Sequence, residues 1–207
     1  FKPSSFSGLE VEIQKYIQNK YEVQVWVNKP AEDNQANTSS WKISIEKESN
    51  RPDLPRQKMH IDICAIPSFD IEKRPLINHY NIVAPTEGLL IPVQSLTETL
   101  ADKFIALAYP ARRIKPRDVW DIVWIKQRGV AVSKQLINKK LVARGKTNED
   151  FIEALTIQLD KLQHDDEVRK DFNIEMSRWP YVQSEISTMS LSILNNGIKN
   201  NKFDMGS

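Results

Sequence analysis

The chain has 207 residues, 40% of them hydrophobic and 27% charged, with a formal net charge of +2. That is enough apolar material for a core in one domain or two small ones, but too little net charge to signal nucleic-acid binding, so local clusters must carry any such signal. The single cysteine, Cys64, excludes an intramolecular disulfide and fits a reducing compartment; with no bilayer-length apolar window and no signal-peptide pattern, a soluble cytoplasmic protein is expected.

Ser7 followed three residues on by Glu10 reads as a capping box, and Leu9, Ile13, Tyr16 and Ile17 give the next helix one buried face. The period then changes to two: Tyr21, Val23, Val25 and Val27 alternate with Glu22, Gln24, Trp26 and Asn28, a half-exposed strand. A polar loop over 29–40 leads to a second alternating run, where Trp41, Ile43 and Ile45 oppose Lys42, Ser44 and Glu46. After a Pro-containing loop over 50–56 comes a third, over 58–66. Its apolar face holds Met59, Ile61, Ile63 and Ala65; Lys58, His60, Asp62 and Cys64 share the other.

Three such strands predict an antiparallel or mixed sheet with helices on one side. Asp62 then stands mid-strand on the uncovered face, where aspartate is disfavoured by propensity. Two readings are open: a solvent-facing residue of an open sheet, or a metal-binding carboxylate in a cleft. Zinc held by His60, Asp62 and Cys64 is rejected, because three ligands along one strand span too far for tetrahedral coordination and no CxxC or HxxxH spacing supports it.

The stretch 82–93, with Pro85, Gly88 and Pro92, reads as turns plus one short strand over 89–93. From Ser95 the chain reads as helical. Leu96, Leu100, Phe104 and Leu107 recur at helical spacing, and Lys103 projects from the same apolar face. Such a lysine either snorkels to the surface or meets a carboxylate or phosphate. A basic loop (Arg112, Arg113, Lys115, Arg117) leads into an apolar helix interrupted by Asp118 and Asp121, three apart on one face. These two read as N-cap and third helical residue, or as buried carboxylates paired with Lys103, Arg117 or a loop arginine.

Further helices are predicted over 132–142, from a Thr147–Asp150 cap with a Phe151, Leu155, Leu159, Leu162 stripe, and over 165–176 with Val168 and Phe172 inward. A last one runs from Pro180 through Val182, Ile186, Met189 and Ile193 to Asn196-Gly197. The 132–142 helix ends in a second basic group, Lys139, Lys140, Arg144 and Lys146. Both basic clusters fit either an RNA backbone or plain solvated charge, with no aromatic platform among them.

The segments ETLADKFIAL and RRIKPRDVWDIVWI resemble the signature of the AbiEii/AbiGii-type nucleotidyltransferase toxins, enzyme halves of bacterial toxin–antitoxin and phage abortive infection systems. There, a lysine-bearing helix precedes an Arg-Asp-aromatic-Asp helix; Lys103, Arg117, Asp118 and Asp121 match in order and approximate spacing. KMHIDICAIP resembles the strand carrying the family's third carboxylate, which puts Asp62 in that position and makes Lys58 and His60 phosphate or nucleotide contacts. The resemblance implies an α+β fold. A nucleotidyltransferase-like mixed sheet with helices on one side would occupy 1–93, an all-helical region 94–200, and a tail 201–207.

It also implies transfer of a nucleotide from a nucleoside triphosphate to an RNA acceptor such as tRNA, and a cognate antitoxin encoded nearby. Carboxylate-held magnesium neutralises the triphosphate in such chemistry, with Asp62 as metal ligand. Lys103 and Arg117 would meet the phosphates, and Asp118 and Asp121 would shape the site. Asp62 and Lys103 are expected to face one hollow. The family's Gly-Ser turn and Asp-x-Asp pair are not found: Ser7-Gly8 is reversed, and Phe69-Asp70 and His164-Asp165-Asp166 are misplaced. The resemblance therefore covers about residues 1–130. The missing pair is expected upstream of Phe1, leaving this chain alone a poor metal binder and inactive. The competing readings are a catalytically inactive binding module of the same fold, engaging a protein partner, and a regulator that recognises GTP without transfer.

Overall fold

A computed structural model describes residues 6–30, 38–48, 51, 53–76 and 88–177. The polypeptide forms two compact units, 1–67 and 68–207. The expected helix from Pro180 and the tail lie outside the described residues, as do 31–37 and 77–87. Among the described residues no helix is long and apolar enough to cross a membrane.

The first unit packs helix α1 (Leu9–Tyr21) against a three-stranded antiparallel sheet of β1 (Val25–Asn28), β2 (Thr38–Ile45) and β3 (Gln57–Cys64), in that order. Gly8, in the left-handed region at φ 87°, precedes α1, and no side-chain cap is made there, so the Ser7–Glu10 capping box is not formed. Leu9, Ile13 and Ile17 are half-buried, whereas Tyr16 is exposed and accepts a 2.9 Å hydrogen bond from Lys20 Nζ. The helix continues through Tyr21 and stops where Glu22 turns left-handed, so the first strand starts later than its alternation suggests. Outward groups of edge strand β1 are met by α1: Val27 N–H donates to Gln14 Oε1 at 3.3 Å, and Gln18 Nε2 donates to the Val25 carbonyl at 3.4 Å. This limits the exposed edge that an unpaired strand otherwise presents.

Period-two alternation does place Val25, Trp41 and Ile43 inside. Phe6 meets the Trp41 ring edge-on at 6.1 Å. Met59 and Ile61 pair with Ile43 and Trp41, yet they remain 46% and 36% exposed, since β3 pairs only with β2 among the described residues.

In the second unit, β4 (Ile71–Pro75) and β5 (Leu90–Gln94) form an antiparallel pair ahead of helices α2 (Leu96–Ala108), α3 (Pro116–Gln127), α4 (Lys134–Val142), α5 (Asn148–His164) and α6 (Asp166–Ser177). The α+β class is as expected. Alternation had not pointed to β4, which is charged, short and largely exposed. The helices share one core in which Leu100, Phe104, Leu107, Ile122, Ile125, Leu141, Phe151, Leu155 and Leu162 are buried. Val168 and Phe172 pack against it half-buried. Thr147 and Asp150 form the reciprocal capping box at the start of α5. Helix α3 begins earlier than the acidic residues suggested: Lys115 is its N-cap and Pro116 its first residue. Proline suits that place, since its φ is already helical and the first N–H has no intrahelical partner.

Candidate functional site

Each strand of the first sheet alternates, so Trp26, Asn28, Ser40, Lys42, Ser44, Lys58, His60, Asp62 and Cys64 share the face away from Trp41 and Ile43. Lys58, His60 and Asp62 are all exposed, opposite Ser44, Lys42 and Ser40 respectively. Asp62 is the sole carboxylate among the residues of these three strands. No group of three His, Cys, Asp or Glu able to hold a metal occurs among the described residues. One aspartate does not make a magnesium centre, so these residues by themselves do not fit the ion.

In the second unit, the helical spacing that put Lys103 on an apolar face is resolved by two carboxylates. Lys103 Nζ donates to Asp118 Oδ1 at 2.7 Å and lies 2.5 Å from Asp121 Oδ2. Of the partners considered for the aspartates, Lys103 is the one they meet. Asp118 is the third residue of α3, where a negative charge also faces the positive helix end. Burial alone would lower the Lys103 pKa; the hydrogen bonds to Asp118 and Asp121 outweigh it and hold the ammonium above the ordinary lysine value. The lysine side chain keeps 25% of its exposure. An ammonium has three donors, and the third has no partner among the described residues.

A second lysine in this unit has the same stoichiometry in a drier place. Lys140 Nζ sits 2.6 Å from Glu98 Oε1 and donates to Asp102 Oδ2 at 2.7 Å. The Lys140 and Glu98 side chains are 3% and 0% exposed. Glu98 also accepts from the backbone N–H groups of Phe69 at 2.9 Å and Asp70 at 2.6 Å. Burial pushes the Glu98 carboxyl up, but Lys140 and the two amides more than offset that and hold it below the usual glutamate range. Gln94 and Arg144 complete the surroundings of Asp102.

Sequence pattern alone does not announce this network, although Lys140 lies three and four residues from Ile137 and Leu136, the spacing that singled out Lys103. It corrects the second basic cluster: Lys140 is buried in ion pairs, so it offers no charge to an RNA backbone. Lys146 sits over the Tyr109 ring at 5.2 Å. The first cluster is different. Arg112, Arg113, Lys115 and Arg117 are all exposed, with Arg113 paired to Glu175 at 3.0 Å. Beyond the loop, within α3, Trp120 and Trp124 stack at 5.9 Å, with the Arg128 guanidinium 3.8 Å over the Trp124 ring.

A family model described as the nucleotidyl transferase AbiEii toxin of type IV toxin–antitoxin systems matches residues 1–189. No curated protein and no solved structure matches the chain. The chain belongs to the AbiEii nucleotidyl transferase family, whose members are toxins of type IV systems.

Proposed function

We propose that this family member transfers a nucleotide from a nucleoside triphosphate to an RNA acceptor such as tRNA, and that a cognate antitoxin encoded nearby opposes it. An acceptor hydroxyl attacks the α-phosphorus, a new O–P bond forms, pyrophosphate leaves and the hydroxyl proton is lost. The observation that carries the reading, beyond family membership, is the Lys103–Asp118–Asp121 triad. Two carboxylates keep Lys103 charged and fix its ammonium, while the third donor is left for a phosphate oxygen. Lys103 is therefore assigned to the triphosphate, with Asp118 and Asp121 as the residues that position it. Arg117, at the start of the same helix, is assigned to the phosphates as well, and Lys58 and His60 to the nucleotide. Magnesium dependence belongs to the proposal through Asp62 as one oxygen ligand.

The test incubates the full-length product of the gene with each α-labelled triphosphate and total tRNA in magnesium buffer, with and without chelator. Label should enter RNA. Asp62→Ala should abolish this with an unchanged melting temperature, and Lys103→Ala should weaken triphosphate binding. Unchanged transfer in Asp62→Ala would remove it from the site. Absence of label with all four triphosphates would favour the second reading, an inactive binding module of the same fold that engages a protein partner. That reading draws on Asp62 being the sole carboxylate within the residues of β1, β2 and β3.

A further inference from the structure

Basic side chains on a protein surface normally find a carboxylate or spread into water; several facing one concavity without partners repel one another. The second unit holds such a concavity, a cleft of ≈ 570 Å³ flanked by the loop after α2, by α5 and by the start of α6. Arg112, Arg113 and Lys161 contribute cations to its wall, and Asp165 is its single carboxylate. That carboxylate is already engaged, accepting from the N–H groups of Glu167 at 3.0 Å and Val168 at 3.1 Å at the start of α6. Arg113 is held by Glu175, which lies outside the lining. The side chains of Arg112 and Lys161 make no hydrogen bond or ion pair among the described residues.

The rest of the lining is of another kind. Ala108, Ile114, Val168 and the Tyr109 ring supply apolar surface, and Gln158 an amide. The Tyr109 hydroxyl is buried with no hydrogen-bond partner. The volume falls in the range of small-ligand sites. Two cations that make no ion pair among the described residues, beside apolar and aromatic surface, match a ligand that joins phosphate to a flat, weakly polar group, and an arginine fork can engage phosphate oxygens in pairs.

We propose that this cleft is a phosphate-binding site for a nucleotide, separate from the residues around Lys103, none of which line it. The phosphate comes either from a free nucleoside triphosphate or from the backbone of an RNA strand. The choice of nucleotide as ligand rests on the nucleotidyl-transfer reading; the site itself rests on charge and lining.

The experiment measures equilibrium binding to the full chain of each of the four triphosphates and of a single-stranded RNA 12-mer, across a salt series. Both Arg112 and Lys161 are exposed, so the doubly substituted R112A/K161A protein should keep its melting temperature. It should bind at least one probe class tenfold or more weakly. If the RNA is the probe affected, the slope of log affinity against log salt should flatten by about 0.7 for each phosphate no longer neutralised. Lys170→Ala, an exposed cation outside the cleft, should change neither. Loss confined to triphosphate identifies free nucleotide as the source, and loss confined to RNA identifies the acceptor. Unchanged binding of both probes overturns the site, as does equal weakening by Lys170→Ala. Label transfer by the unsubstituted protein with probe binding unaltered in R112A/K161A sinks the cleft alone; no transfer by the unsubstituted protein, with a probe that it binds and R112A/K161A loses, sinks the enzymatic reading alone.

Discussion

Lys103 and Lys140 stand in one helical unit, each between two carboxylates, and they differ in water. Lys140 and Glu98 are 3% and 0% exposed and are surrounded by further donors, whereas Lys103 keeps 25% and its partner Asp121 31%. Coulomb attraction between ions grows as water is excluded, but so does the penalty of leaving one of them alone. The dry lysine is thus bound to the fold, and the wetter one keeps a donor that a ligand can reach. Identical stoichiometry gives a structural clamp in one place and a candidate site in the other.

Removing each lysine separates the two. Lys140→Met leaves Glu98 buried without its cation and should cost about 3–5 kcal/mol, read as a large drop in Tm, since breaking a buried pair costs that much. A drop no larger than that of Lys103→Met would erase the contrast. Acid should expose the same clamp. Glu98 has a lowered folded-state pKa, so its contribution is present above the ordinary glutamate value of about 4.3 and is lost as pH falls through the lower folded value. Thermal melts between neutral pH and about pH 3 should show this loss, and Glu98→Gln should flatten it.

Lys103 has the opposite sign: its raised pKa gives a contribution complete below the ordinary lysine value of about 10.4 and lost only as pH climbs through the higher folded one. Lys103→Met should cost about 1–2 kcal/mol, a figure reduced for partial exposure, with triphosphate affinity falling far more than stability. The smallest effect should come from Arg144→Ala. Its guanidinium lies 3.4 Å from Asp102 with about a quarter of the side chain exposed, so less than about 1 kcal/mol is expected in a chemical melt.

What could be read from the sequence divides along the range of the interactions. The apolar stripes of α2 and α5 and the Thr147–Asp150 cap are set within four residues, and they appear as read except that Leu96, at the first turn of α2, is exposed. Alternation gave the three strands of the first sheet, but not where α1 stops, because Tyr21 fits either period. Lys103 and its aspartates are 15 and 18 residues apart, close enough in sequence for one motif to hold them. Glu98 and Lys140 are 42 apart, and nothing local marks them as partners. Ser95 and Glu98 have capping-box spacing, and Ser95 Oγ does accept from Glu98 N–H. The Glu98 carboxylate, however, turns to Phe69 and Asp70 instead of its own helix start. The cleft was also beyond reach, since Arg112 and Lys161 share no periodicity.

The Glu98 carboxylate has a kinetic consequence. A two-stranded ribbon such as β4–β5 is marginal in isolation. Its lead-in, though, is fastened to α2 and α4 by two amides and an ammonium on one buried group. The Phe69 and Asp70 amide protons should therefore trade with deuterium only when the bundle opens as a whole, at the slow rate of its interior and not at that of a surface turn.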